Sequence, residues 1–165
     1  MKSSWIVAGL VVLVAGGGFV TAHPRPVVRQ PIRFNHKAHV AAGVDCDGCH
    51  ATAAEQAFAG MPTLETCMDC HDQPLTKDPE EKKLKAYQAA KTDPLWVRIY
   101  TEPAHVFFSH RRHVQLAKVP CATCHGPMPQ ATEPPLVPAV KQSMTWCLEC
   151  HRQRHASIDC IACHR

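Results

Sequence analysis

The sequence predicts a mostly irregular and helical fold with little or no sheet, whose interior is filled by something other than the chain's own apolar side chains. Three observations predict it. The 165 residues include only five Phe, three Trp and two Tyr, too little bulk for an ordinary single core. No stretch alternates apolar and polar residues over a useful strand length. All ten cysteines fall in pairs with two residues between, and a histidine follows the second cysteine every time.

Those five motifs are Cys46-Asp-Gly-Cys49-His50, Cys67-Met-Asp-Cys70-His71, Cys121-Ala-Thr-Cys124-His125, Cys147-Leu-Glu-Cys150-His151 and Cys160-Ile-Ala-Cys163-His164. Two thiols three positions apart on one turn can each add to a vinyl group of the same haem, and the adjacent imidazole then reaches the iron as proximal ligand. The pattern therefore predicts five covalently bound haem c groups, with porphyrins serving as the core. A disulfide scaffold or paired-cysteine zinc sites would use the same thiols, but neither needs His at one fixed place five times. A thioredoxin-like redox pair would occur once, on a βαβ pattern that is absent.

Residues 1–22 read as a targeting segment. Lys2 precedes an apolar run from Trp5 to Val20, and Val20-Thr21-Ala22 suits signal peptidase. The run is short for a membrane span yet near its lower limit, so a cleaved signal and a retained transmembrane helix both stand. The proline-rich stalk at 23–31 tilts the expectation to an anchor. Arg25, Arg29 and Arg33 outnumber Lys2, the reverse of the positive-inside bias. Haem attachment sets orientation instead, because it takes place outside the cytoplasm, and the haem domain at 32–165 is expected on the periplasmic side. No cysteine is left to carry a lipoprotein anchor.

Beyond the stalk the chain repeats itself. Phe34-Asn-His36-Lys-Ala-His39 precedes the motifs at Cys46 and Cys67, and Phe108-Ser-His110-Arg-Arg-His113 precedes those at Cys121 and Cys147. Each unit is an FxHxxH turn followed by two haem motifs, so two dihaem modules, 32–77 and 104–155, are expected, with a fifth haem at 156–165. Between the modules, Asp78 to Lys91 has an Asp N-cap, Pro at the first position, acids in the first turn and good helix formers, which predicts a helix. Gly126 to Pro138 holds five prolines and predicts an irregular loop on the surface or against a partner.

Five histidines are committed as proximal ligands, which leaves His23, His36, His39, His105, His110, His113 and His155. In each FxHxxH turn the two imidazoles lie three residues apart, on neighbouring positions of a helical turn, and can reach two different haems. His36, His39, His110 and His113 are therefore expected as distal ligands, with Phe34 and Phe108 packing against porphyrin. For the fifth distal position His155, in the short loop between the last two motifs, is preferred to His105. His23 belongs to the stalk. Met61, Met68, Met128 and Met144 are read as packing residues, because no shortage of His calls for a thioether ligand.

The FxHxxH and CxxCH grammar resembles that of the class III multihaem cytochromes. From Gln30 to Arg165 the chain is also similar to the pentahaem cytochrome c subunit family of alternative complex III. The strings that carry this are Gly60-Met-Pro-Thr-Leu-Glu-Thr-Cys-Met-Asp-Cys-His71, Trp96-Val-Arg-Ile-Tyr100, Pro103-Ala-His-Val-Phe-Phe-Ser-His110, Ser143-Met-Thr-Trp-Cys-Leu-Glu-Cys-His151 and Cys160-Ile-Ala-Cys-His-Arg165. The resemblance implies a single N-terminal membrane helix. It implies a membrane quinol-oxidising respiratory assembly with an iron-sulfur and molybdopterin-like subunit and polytopic quinol-binding subunits. A downstream acceptor would be a monohaem cytochrome c or a copper protein. It also favours His155 over His105.

Irons with both axial positions filled by His are expected to be low-spin electron carriers at low potential, not sites of substrate chemistry. The formal charge of +4 covers only the polypeptide, and the ten propionates of five haems would bring it to about −6. Lys and Arg are thus propionate partners, and nucleic-acid binding has no support. A multihaem reductase of a small oxyanion would need a haem with an open distal side or a Lys in place of a motif His. All five motifs carry His. A free periplasmic electron shuttle differs mainly in whether residues 1–22 are retained.

Overall fold

Backbone hydrogen bonds in this chain are closed over short distances, one helical turn at a time. The computed structural model of the chain describes residues 28–164, so the expected membrane helix at 1–22 and most of the stalk lie outside the described residues. The helices are α1 (His36–Ala41), α2 (Cys46–Cys49), α3 (Leu64–His71), α4 (Pro79–Ala90), a π-helical turn at Arg111–Leu116, α5 (Ala122–His125), a 3-10 turn at Met128–Gln130, α6 (Met144–Gln153) and α7 (Cys160–Cys163). Among the described residues no helix is long and apolar enough to cross a membrane. The sheet content there is a single antiparallel bridge between Val106 and His164.

Side-chain oxygens start the longer helices. Asn35 accepts from the Ala38 amide at α1, Thr63 from Thr66 at α3, Asp78 from Glu80 at α4 and Ser143 from Trp146 at α6. Each satisfies an amide that has no partner within its own helix. The inter-module helix is α4, with Pro79 at its first position and Lys91 closing it in the left-handed conformation at φ 52°. The second FxHxxH segment departs from the expected α turn. It winds as a π-turn, with His110 at its N-cap and Ser109 Oγ accepting from the Arg112 amide.

The polypeptide builds almost no core of its own. Among the described residues the buried apolar side chains are Ile32, Leu84 and Pro94, Ser109 is the buried polar one, and no side chain falls below 2 % exposure. A chain of this size would ordinarily bury well over half of its surface behind apolar side chains.

The two modules are joined mainly through backbone groups. The amides of His110 and Arg111 donate to the carbonyls of Ala57 (3.0 Å) and Gln56 (2.9 Å). The amide of Lys37 donates to the carbonyl of Ala131 (2.9 Å), so the proline-rich linker packs onto α1. Gln30 bonds reciprocally to Val97, and the Trp96 indole donates to the carbonyl of Pro62 at 2.9 Å.

Candidate haem-binding sites

Each CxxCH motif occupies one helical turn. The His amide bonds back to the carbonyl of the first Cys in the three shortest cases, His50 to Cys46 (2.9 Å), His125 to Cys121 (3.0 Å) and His164 to Cys160 (2.9 Å). In the other two the motif lies inside α3 and α6. All ten cysteines are free thiols, so each is available to form a thioether and none is engaged in a disulfide. Among the described residues no group of three or more His, Cys, Asp or Glu is arranged to hold a metal ion by side chains alone. The imidazoles come instead as facing pairs.

The tautomer each ring favours is set by what lies behind it. The Nδ1 atoms of His39, His50, His110, His113 and His151 sit 2.6–3.0 Å from the carbonyl oxygens of Asn35, Gly60, Ala57, Ser109 and Ser157. A carbonyl only accepts, so each Nδ1 is the donor, and in the neutral tautomer this selects, Nε2 is the atom with the lone pair a metal needs. Gly60 can present its carbonyl because it holds φ +74°, where a Cβ would come within 3.0 Å of Thr52 Oγ1. His71 differs, since its Nδ1 faces the Glu81 carboxylate at 2.7 Å.

Two imidazoles that bind one metal from opposite sides at roughly 2 Å put their ring centres roughly 6 Å apart. The ring centres of His39 and His71 are 6.1 Å apart, those of His113 and His151 6.0 Å, and those of His110 and His125 6.4 Å. His36 lies beside His50. Burial, then the neighbouring imidazole of His50, lowers the His36 pKa, and burial, then His110, does the same for His125. Both shifts favour the neutral ring, the form that ligates.

For the last motif the imidazole that meets the motif histidine is that of His105. The rings of His105 and His164 stack 5.5 Å apart, and the flanking backbone is pinned by the Val106 bridge and a 2.6 Å bond from the Phe107 amide to the Cys163 carbonyl. His155 instead takes the left-handed conformation (φ 53°) in the turn that ends α6, and among the described residues it meets no other histidine ring. An antiparallel crossing from a distant segment brings His105 to that ring.

Neighbouring thiols reveal the order of the motifs in space. Burial, then the Cys121 thiol, raises the pKa of Cys46; burial, then a thiol of the other's motif, raises those of Cys49 and Cys67. Cys124 neighbours Cys150 and Cys147, and Cys147 neighbours Cys163. These relations link the second motif to the first, the first to the third, the third to the fourth and the fourth to the fifth.

Thiol pairs on single turns, facing imidazoles and a polypeptide without its own core all fit covalent haem. The comparisons with known proteins agree. Residues 19–95 match the class III cytochrome c family, and residues 106–165 match cytochrome c7 and related cytochromes c. The chain is also 33 % identical over 161 residues to the menaquinone reductase multihaem cytochrome c subunit of Nitratidesulfovibrio vulgaris, covering 82 % of this chain and 77 % of that protein. The chain is a class III-type multihaem cytochrome c.

In this cytochrome the groups that sequence reasoning missed are the ones behind the ligands. The carbonyls of Ala57, Gly60 and Ser157 have no residue-type signature, since any amino acid supplies one. Glu81 was visible only as a first-turn acid of α4, favourable to the helix dipole. Its contact with His71 needs the turn at 72–78 that folds α4 back against α3.

Proposed function

We propose that this cytochrome carries five covalent haems and serves as the electron-transfer subunit of a membrane-bound, quinone-linked complex. The observation that carries the reading is the set of three imidazole pairs with ring centres 6.0–6.4 Å apart, His39 with His71, His113 with His151 and His110 with His125, joined by the 5.5 Å approach of His105 to His164. The pairs are His50 with His36, His71 with His39, His125 with His110, His151 with His113, and His164 with His105. Bound haem supplies a one-electron iron couple. The chain's own part is to anchor each group through two thioethers and to hold two imidazoles, six of them turned by a partner at Nδ1 so that Nε2 faces the site. With two histidines assigned to every site, none is left open for a small-molecule substrate, which favours electron transfer over oxyanion reduction.

The quinone link rests on two likenesses. The curated relative is a subunit of a menaquinone reductase. The residues quoted above resemble the pentahaem subunit of alternative complex III, a quinol-oxidising assembly. Both place a multihaem cytochrome beside other subunits of a quinone-active complex. We read residues 1–22 as a retained membrane anchor, with the haem domain on the periplasmic side, neighboured by an iron-sulfur and molybdopterin-like subunit and by polytopic quinone-binding subunits.

One measurement tests count and anchor together. The protein is extracted from carbonate-washed native membranes and weighed intact, and its EPR spectrum is taken in the oxidised state. The expected mass is the full polypeptide plus five haem units, with wholly low-spin signals. Four or fewer haem units, or a substantial high-spin component, overturns the five bis-histidine sites. A protein found soluble and starting at His23 overturns the anchor.

A further inference from the structure

The two modules carry an internal control for a single side chain. His71 and His151 are counterparts, each the histidine of the second motif in its module, and each faces the second histidine of an FxHxxH turn at nearly the same separation, 6.1 and 6.0 Å. Behind His151 stands the neutral carbonyl of Ser157, and behind His71 stands the Glu81 carboxylate. Among the described residues no other proximal histidine faces a carboxylate.

Glu81 is held there by four donors. Oε1 accepts from His71 Nδ1 (2.7 Å) and the Leu75 amide (2.6 Å), and Oε2 accepts from the Thr76 amide (2.7 Å) and hydroxyl (2.6 Å). Its side chain is only 9 % exposed. Such a carboxylate stays charged, and it draws the Nδ1 proton toward itself. The imidazole gains anionic character and becomes a stronger donor to ferric than to ferrous iron.

We propose that Glu81 is the positioning residue that makes the haem held by Cys67, Cys70 and His71 the most reducing centre of this cytochrome. The inference rests on the haem-binding reading above and on the assignment of His71 as a proximal ligand.

Three substitutions in the full-length holoprotein test it by redox titration, each first weighed to confirm the wild-type haem count. Glu81→Gln removes the charge and is expected to raise the lowest midpoint potential while the others stay within error, and to shift the g values of one low-spin EPR signal. Thr76→Val removes a hydroxyl that shares the carboxylate's charge, strengthens its hold on His71 and is expected to move the same potential the opposite way. Glu80→Gln removes a neighbouring carboxylate that touches no histidine, and is expected to leave that potential in place. The proposal is overturned if Glu81→Gln leaves the lowest step unmoved, if both site variants shift it in one direction, or if Glu80→Gln matches the effect of Glu81→Gln. Failure of the underlying reading shows separately, as a wild-type haem count or spin state that does not fit five bis-histidine sites.

Discussion

The segments around the two FxHxxH turns share a frame of one phenyl ring and two imidazoles and differ in what stands behind one motif histidine. In the first, Phe34 stacks on His39 (4.2 Å, 27°) and meets His36 edge-on (4.8 Å, 83°); in the second, Phe108 stacks on His113 (4.5 Å, 24°) and meets His110 edge-on (5.0 Å, 89°). His39 Nδ1 and His113 Nδ1 each lie 2.8 Å from the carbonyl four residues earlier, that of Asn35 or Ser109. This frame survives a change of helix type, since the first turn is α and the second π. The constraint that matters is therefore the placement of the phenyl ring and two imidazoles, not the winding of the turn. The difference at His71 and His151 shows how one duplicated frame can hold chemically similar groups in unlike electrostatic surroundings.

If the frame is equivalent in both modules, losing the same ligand should have the same consequence. His39→Ala and His113→Ala are each expected to convert one haem to a high-spin, CO-binding state while the remaining haems stay low-spin, because thioether attachment holds the group without its distal ligand. EPR of the oxidised protein and CO difference spectra of the reduced protein check this. A variant in which no high-spin signal appears, or in which several haems change together, would break the equivalence.

A second comparison concerns the last motif, which has no FxHxxH turn of its own. His105→Ala is expected to give one high-spin haem, and His155→Ala to leave all haems low-spin. The reverse result would restore the loop histidine as the ligand and show that the 5.5 Å approach of His105 to His164 is only ring packing.

The smallest effect is expected at the caps. Asn35 Oδ1 accepts from the Ala38 amide at 3.0 Å, whereas its counterpart Ser109 Oγ accepts from Arg112 at 3.4 Å. Asn35→Ala should cost about 1 kcal/mol in denaturant unfolding, and Ser109→Ala measurably less. Equal losses would mean that the caps contribute alike despite their geometry.

The sequence by itself determined everything that depends on near neighbours along the chain. Thiols two residues apart with a following His must lie on one turn, and Asp78-Pro79 with two acids behind it must start a helix, so the motifs and α4 were legible. The FxHxxH duplication likewise marked four candidate ligands. Only the tertiary structure decided which histidines face each other, in what order the motifs run and what stands behind each ring. Those choices depend on backbone carbonyls and on crossings between segments far apart in sequence, such as Ala57 with His110 or Cys163 with Phe107. A carbonyl is the same for every residue type, so its direction leaves no trace in the sequence. A carboxylate such as Glu81 does leave one, but whether it serves a helix end or a ligand is settled only when the turn at 72–78 brings it against His71.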